Sequence, residues 1–95
     1  MQWTVVLTKP NCEAKAVDNL LQQGYGAYCP RYKEVGKNKV VFKKPLFPRY
    51  VFASIDKFWY SIRGTRGVSQ ILMSDQGPAV IPASTIEAIL SLEWR

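Results

Sequence analysis

Catalysis needs a nucleophile beside a base, two carboxylates of unequal acidity, a metal cluster or a phosphate-cradling loop, and this chain offers few starting points for any of them. Cys12 stands where a helix is expected to begin, a position that can make a thiol reactive, yet the sequence contains no histidine to act as its base. Cys12 and Cys29 lack metal-ligand spacing and form at most one bridge, so free thiols are expected. There is no phosphate loop and no carboxylate pair at active-site spacing. An enzyme is therefore the reading these residues support least, and no cofactor or metal is expected. What remains is recognition chemistry, carried by cations and rings. Gly64 and Gly67 flank Thr65 and Arg66 in a loop expected to present one hydroxyl and one guanidinium. Between positions 31 and 49, Arg31, Lys33, Lys37, Lys39, Lys43, Lys44 and Arg49 are opposed only by Glu34. Such a basic hairpin serves equally as a solvated strand pair that resists edge aggregation or as a surface for nucleic acid or another anionic partner.

The rings concentrate in Pro45-Leu46-Phe47-Pro48-Arg49-Tyr50-Val51-Phe52, around which the chain is organised. The two prolines fix φ and remove donors, so the approach to Tyr50 cannot lie inside a central ladder. Beyond Pro48, alternation sends Tyr50 and Phe52 to one face, and Val51 and Ala53 to the other. Two large rings thus face one side while small residues face a core. Burial of Phe47, Tyr50 and Phe52 as ordinary core residues is the plain alternative.

Other elements must position these groups. Trp3 to Thr8 reads as a strand with Trp3, Val5 and Leu7 on one face and Thr4, Val6 and Thr8 on the other. Asn11 is the expected N-cap of a helix whose apolar positions are Ala14, Val17, Leu20 and Leu21 and whose stop is Gly24. Its polar side, Glu13, Lys15, Asp18, Asn19, Gln22 and Gln23, is expected to be solvated. Gly26 to Glu34 forms a second strand with an edge or bulge at Pro30. Val35 to Asn38 turn it back through a basic strand, Lys39 to Lys43, before the organising strand runs to Ile55. Asp56 is expected to cap a short helix, Lys57 to Ile62, in which Phe58 and Ile62 share a face. Val68 to Met73 is another strand, Ser74 to Pro78 a turn, and Val80-Ile81 a brief extended approach. Pro82 then opens a helix with a stripe of Ile86, Ile89 and Leu90.

The fold expected is α+β: a ferredoxin-like small antiparallel sheet with helices on one face plus an added helix. At 95 residues, 47% of them hydrophobic, the chain makes one domain with a single two-layer core. No apolar run approaches the ~20 residues of a membrane span and no leader pattern opens it, so a cytoplasmic location is expected. Its net charge of +6 comes from 13 basic against 7 acidic residues.

Several of these features together resemble a known family. They are the N-terminal Trp3, the helix after Lys9, the run Pro45-Leu46-Phe47-Pro48-x-Tyr50-x-Phe52, Gly67-Val68 and the helix from Pro82 to Leu90. The chain is similar over nearly its whole length, residues 1–95, to the N-terminal (NGN) domain of NusG-type transcription elongation factors. Thr65-Arg66-Gly67-Val68 and Pro78-Ala79-Val80-Ile81-Pro82 look more like the specialised RfaH branch than like general NusG. The resemblance implies an antitermination factor, bacterial and cytoplasmic, that binds the clamp helices of the largest RNA polymerase subunit, bridges the cleft and reduces pausing. The implied polymerase-binding residues are Leu7, Phe47, Tyr50, Phe52, Ile86 and Ile89. Those implied to read the non-template DNA strand at a pause element are Lys9, Lys15, Asn19, Thr65, Arg66 and Gly67. Leu7 departs from the family's Tyr, which keeps the apolar contact to polymerase but not the polar one; Asn19 departs from the branch's His and Pro10 from a basic residue, so a different sequence preference is expected. Family members continue into a small C-terminal KOW-type domain, which in the RfaH branch masks the polymerase site. It is absent from this chain, and Trp94, without an obvious place to pack, suggests that something follows. The alternative is a free-standing single-stranded nucleic-acid-binding domain that uses the basic hairpin, with tight, steeply salt-dependent binding to bare oligonucleotides.

Overall fold

The computed structural model describes residues 2–56 and 58–93; Trp94 and Lys57, named above, lie outside them. Eight strands and three helices follow in the order β1 (Gln2–Thr8), α1 (Glu13–Gln22), β2 (Ala27–Tyr28), β3 (Arg31–Val35), β4 (Val41–Pro45), β5 (Tyr50–Ile55), α2 (Tyr60–Arg63), β6 (Val68–Ile71), β7 (Met73–Ser74), β8 (Gly77–Pro78) and α3 (Ala83–Glu93). The main sheet is antiparallel, in the order β2-β5-β1-β6. Counting only these four strands, the order is 2-3-1-4, the ferredoxin-like arrangement of a β-α-β-β-α-β chain. The expected α+β class is therefore the observed one. β3-β4 is a separate hairpin inserted between the second and third strands of that plan, and β7-β8 is a smaller one.

Side chains sort across the sheet in a way hydropathy alone does not suggest. Thr4, Val6 and Thr8 are buried, whereas Trp3, Val5 and Leu7 on the other face are half-buried. Register explains the choice: Val6 pairs with Val51 and Thr4 with Ala53, so the small residues of β5 line the same side. Ala16 and Leu20 of α1, Ile62 of α2, and Val68 and Ile71 of β6 complete the core there. Phe52 and Ile86 are the buried hydrophobic residues that stand apart from this cluster among the described residues.

Helix α1 departs from the expected pattern at its start. Asn11 is not the cap; it has φ 59° and sits third in a Lys9-Pro10-Asn11-Cys12 turn closed by the Cys12 N–H on the Lys9 carbonyl (3.0 Å). Proline in second place and positive φ in third are the marks of a type II turn, so Cys12 occupies the cap position without a side-chain bond. The buried stripe is Glu13, Ala16 and Leu20, one step from the apolar pattern, since Ala14 and Leu21 are exposed. The stop is as expected. Gly24 (φ 92°) ends α1 with its N–H on Leu21 O and the Tyr25 N–H on Leu20 O, a Schellman arrangement, and Tyr25 packs against the core.

Pro30 splits the expected second strand into β2, in the sheet, and β3, in the hairpin, because a proline cannot donate to a ladder. Asp56 accepts the Phe58 N–H (2.8 Å), but α2 begins only at Tyr60. Phe58 therefore falls outside the helical register, is exposed, and does not share the buried face of Ile62. Trp59 packs there instead. Strand β6 stops at Ile71, and after β7-β8 the chain returns to bridge Ile81 to Trp3. Pro82 opens α3, accepting N–H bonds from Thr85 and Ile86.

Candidate functional site

On the sheet face turned away from the core, β1 and β5 place their apolar side chains opposite one another. Leu7 pairs with Tyr50, Val5 with Phe52 and Trp3 with Ser54; Tyr28 of β2 pairs with Phe52 on the same face. Phe47 meets Phe52 edge-on, with ring centroids 6.4 Å apart and planes at 89°. Phe47 and Tyr50 are 41% and 38% exposed, while Phe52 beneath them is buried. The expected group Leu7, Phe47, Tyr50 and Phe52 is thus contiguous, with Phe52 as its floor. On α3, Ile86 is buried and Ile89 half-buried, which leaves Leu90 as the more exposed member of the stripe.

The exposed rings are held by a second type II turn, Phe47-Pro48-Arg49-Tyr50, closed by the Tyr50 N–H on Phe47 O (3.0 Å). Arg49 takes the left-handed position (φ 70°), which costs a non-glycine residue about 1–2 kcal/mol. Three hydrogen bonds offset that strain. The Arg49 N–H donates to Glu13 Oε2 (3.0 Å), its Nε donates to Thr8 O (3.0 Å), and its carbonyl accepts the Thr8 N–H (2.7 Å). Glu13, expected to be solvated, is buried for this reason. Pro48 before Arg49 announces the turn; nothing in the sequence announces Glu13 as its anchor.

Around the same end of β1 lies the loop 64–67. Lys9 donates its N–H to Gly67 O (2.8 Å), and the Asn19 side-chain amide donates to Arg66 O (3.0 Å). The expected exposed hydroxyl of Thr65 is instead turned inward: Thr65 is 5% exposed, donates to Ser61 O (3.0 Å) and accepts from Gln23 Nε2 (2.6 Å). A hydroxyl four residues after a helical carbonyl is captured by it. Gly67 (φ 94°) is buried, and a Cβ there would lie 3.0 Å from Ala16 N, so only glycine lets the loop close on α1. The loop therefore presents one side chain, exposed Arg66, with exposed Lys9 nearby in the chain fold. Lys15 lies one turn before Asn19 on α1, also exposed. Gln23, expected among the solvated residues of α1, is a support of this loop.

A cleft of about 680 Å³ at the other end of the sheet, lined by Gln2, Ile55, Asp56, Trp59, Ser74, Gln76, Pro78 and Val80, includes none of these groups. No cluster of metal-ligating side chains occurs among the described residues, and no helix among them is long and apolar enough to cross a membrane. Cys12 and Cys29 are not joined in a disulfide. In comparison with known protein families, residues 1–90 match the family model described as NusG, "Transcription termination factor nusG".

Proposed function

The chain belongs to the NusG family of transcription factors, and from that premise we propose that it binds RNA polymerase through the apolar outer face of its sheet. The occupant is the pair of clamp helices on the largest subunit, with Leu7, Phe47, Tyr50 and Phe52 as the seat and Ile86 and Ile89 contributing from α3. One observation carries this reading: in a domain with a complete core on one side, the larger apolar side chains of β1 and β5 lie on the other. An exposed apolar patch of that kind marks an interaction surface. Bridging of the cleft and reduced pausing follow from this docking. The Arg66 loop, with Lys9, Lys15 and Asn19 around it, reads the exposed non-template DNA strand at a pause element, in the manner of the RfaH branch. Thr65 and Gly67 shape the loop rather than touch the strand. Arg66 supplies a planar donor fork suited to guanine or phosphate.

Tyr50→Ala tests the seat. Losing a central aromatic anchor costs about 2 kcal/mol or more, roughly a thirtyfold fall in affinity for purified polymerase at an unchanged melting temperature. Retained affinity in a folded Tyr50→Ala variant, and again in Phe47→Ala, would remove the proposed seat.

A further inference from the structure

Asn19 is expected among the residues that touch the DNA strand, yet its side-chain amide already has an occupation. Its Nδ2 donates to the Arg66 carbonyl (3.0 Å), 47 residues on in the chain. That carbonyl belongs to the central peptide of a turn. Thr65 to Val68 is closed by the Val68 N–H on Thr65 O (3.1 Å), with Arg66 second and Gly67 (φ 94°) third, which is a type II arrangement. The residues on either side are tied by other donors. Gln23 Nε2, one turn along α1, donates to the Thr65 hydroxyl (2.6 Å) and more distantly to the Asn19 carbonyl (3.3 Å), and the Lys9 N–H donates to Gly67 O (2.8 Å). Arg66 itself is exposed while Asn19 is half-buried. Packing therefore does not hold Arg66; the bond from Asn19 does.

We propose that Asn19 is a positioning residue, which sets base discrimination by locking the Arg66–Gly67 peptide in one of its two turn orientations. The inference rests on the reading of a single strand by the Arg66 loop proposed above. Types I and II of a four-residue turn differ chiefly by reversal of the central peptide, through ψ of the second residue and φ of the third. Glycine in third place accepts either sign of φ, so Gly67 by itself leaves both orientations open. Asn19 separates them, because reversal carries the Arg66 carbonyl away from its amide. The choice matters for a base more than for a phosphate. A phosphate attracts a guanidinium over a range of positions and carries no sequence information, whereas a base edge is read only by donors held in a fixed geometry. With the turn unlocked, Arg66 keeps its charge and loses its aim.

The test is fluorescence anisotropy of the 95-residue chain with short single-stranded thymidine oligomers that differ only in one central base, A, C, G or T, over a KCl series. The unmutated chain is expected to separate the best base from the worst by about tenfold, within what one good base contact supplies. In Asn19→Ala that spread falls to about twofold, while affinity averaged over the oligomers falls only about threefold and the slope of log K against log salt stays, since no cation is lost. Alanine is the better helix former, so melting of α1 does not account for the loss, and circular dichroism checks this. Arg66→Ala is expected to lose the spread and also to flatten the slope by about 0.7. The double variant decides the role: a residue that acts through Arg66 adds nothing once Arg66 is gone. A further loss of discrimination in Asn19→Ala/Arg66→Ala, relative to Arg66→Ala, overturns positioning in favour of direct reading by Asn19. A lowered melting temperature with the spread intact in Asn19→Ala overturns it in favour of a purely structural bond. An unchanged spread in Arg66→Ala overturns strand reading by this loop and the positioning role together, which distinguishes that failure from the other two.

Discussion

Arg49 is where the two proposed surfaces meet at the scale of a single residue. Its left-handed backbone directs the chain from Phe47 into Tyr50, and its hydrogen bonds with Thr8 join that turn to the end of β1, whose next residue, Lys9, is bonded to Gly67. Glu13 is the anchor. Glu13→Ala leaves the Arg49 N–H without its acceptor, at a cost of about 1–3 kcal/mol, and is expected to lower the melting temperature and weaken polymerase binding together. Thermal unfolding followed by circular dichroism checks the first effect. Restoration of stability by Arg49→Gly in the Glu13→Ala background identifies left-handed strain as part of the cost, because glycine adopts that conformation freely. Gly67→Ala combines positive φ with a close approach to the α1 backbone. It is expected to be among the more damaging loop substitutions, as read by the same melting experiment.

At the scale of elements, β1 is a strand with two occupations. Val6 is fully buried, and Val6→Ala removes two methylene equivalents from the core, a loss of about 2 kcal/mol. For a domain of this size that lowers the melting temperature on the order of 10 °C. Leu7→Ala, one position along and on the opposite face, is expected to leave melting nearly unchanged while weakening polymerase binding. Equal destabilisation by both would mean that the outer face is core. The β3-β4 hairpin shows the complementary behaviour of an element with no core. Glu34 raises the Lys44 pKa above its ordinary value, first through their hydrogen bond and then through charge attraction. A raised lysine pKa contributes stability that is fully present below the unfolded value and is lost as pH climbs through the folded one. The pair is therefore insensitive to pH near neutrality, and being exposed it contributes little.

At the scale of the molecule, one sheet separates three surfaces: a core under α1 and α2, an apolar outer face, and a cationic end formed by the Arg66 loop and Lys9. Separation predicts separable defects. Arg66→Ala is expected to abolish the effect of a pause element on elongation while sparing sequence-independent acceleration; single-round transcription on templates with and without the element reads both. Acceleration unaffected by the element in the unmutated chain would instead indicate a general NusG-type factor.

Much of this was legible in the residues themselves. Alternation in β1 and β5, the stop at Gly24, Pro82 at the head of α3 and the ferredoxin-like plan follow from periodicity and backbone constraint, which act over a few residues. Tyr50 and Phe52 on one face, with Val51 and Ala53 on the other, were determined in the same way. Tertiary structure alone decided which face of β1 became core, because Thr4, Val6 and Thr8 win that place only by pairing with the small side chains of β5. It also decided that Glu13 is buried, that Asn11 turns rather than caps, and that the Thr65 hydroxyl is hidden. In the case of Glu13 and Arg49 the partners are 36 residues apart, and no local pattern encodes a bond whose two ends meet only after the sheet has formed.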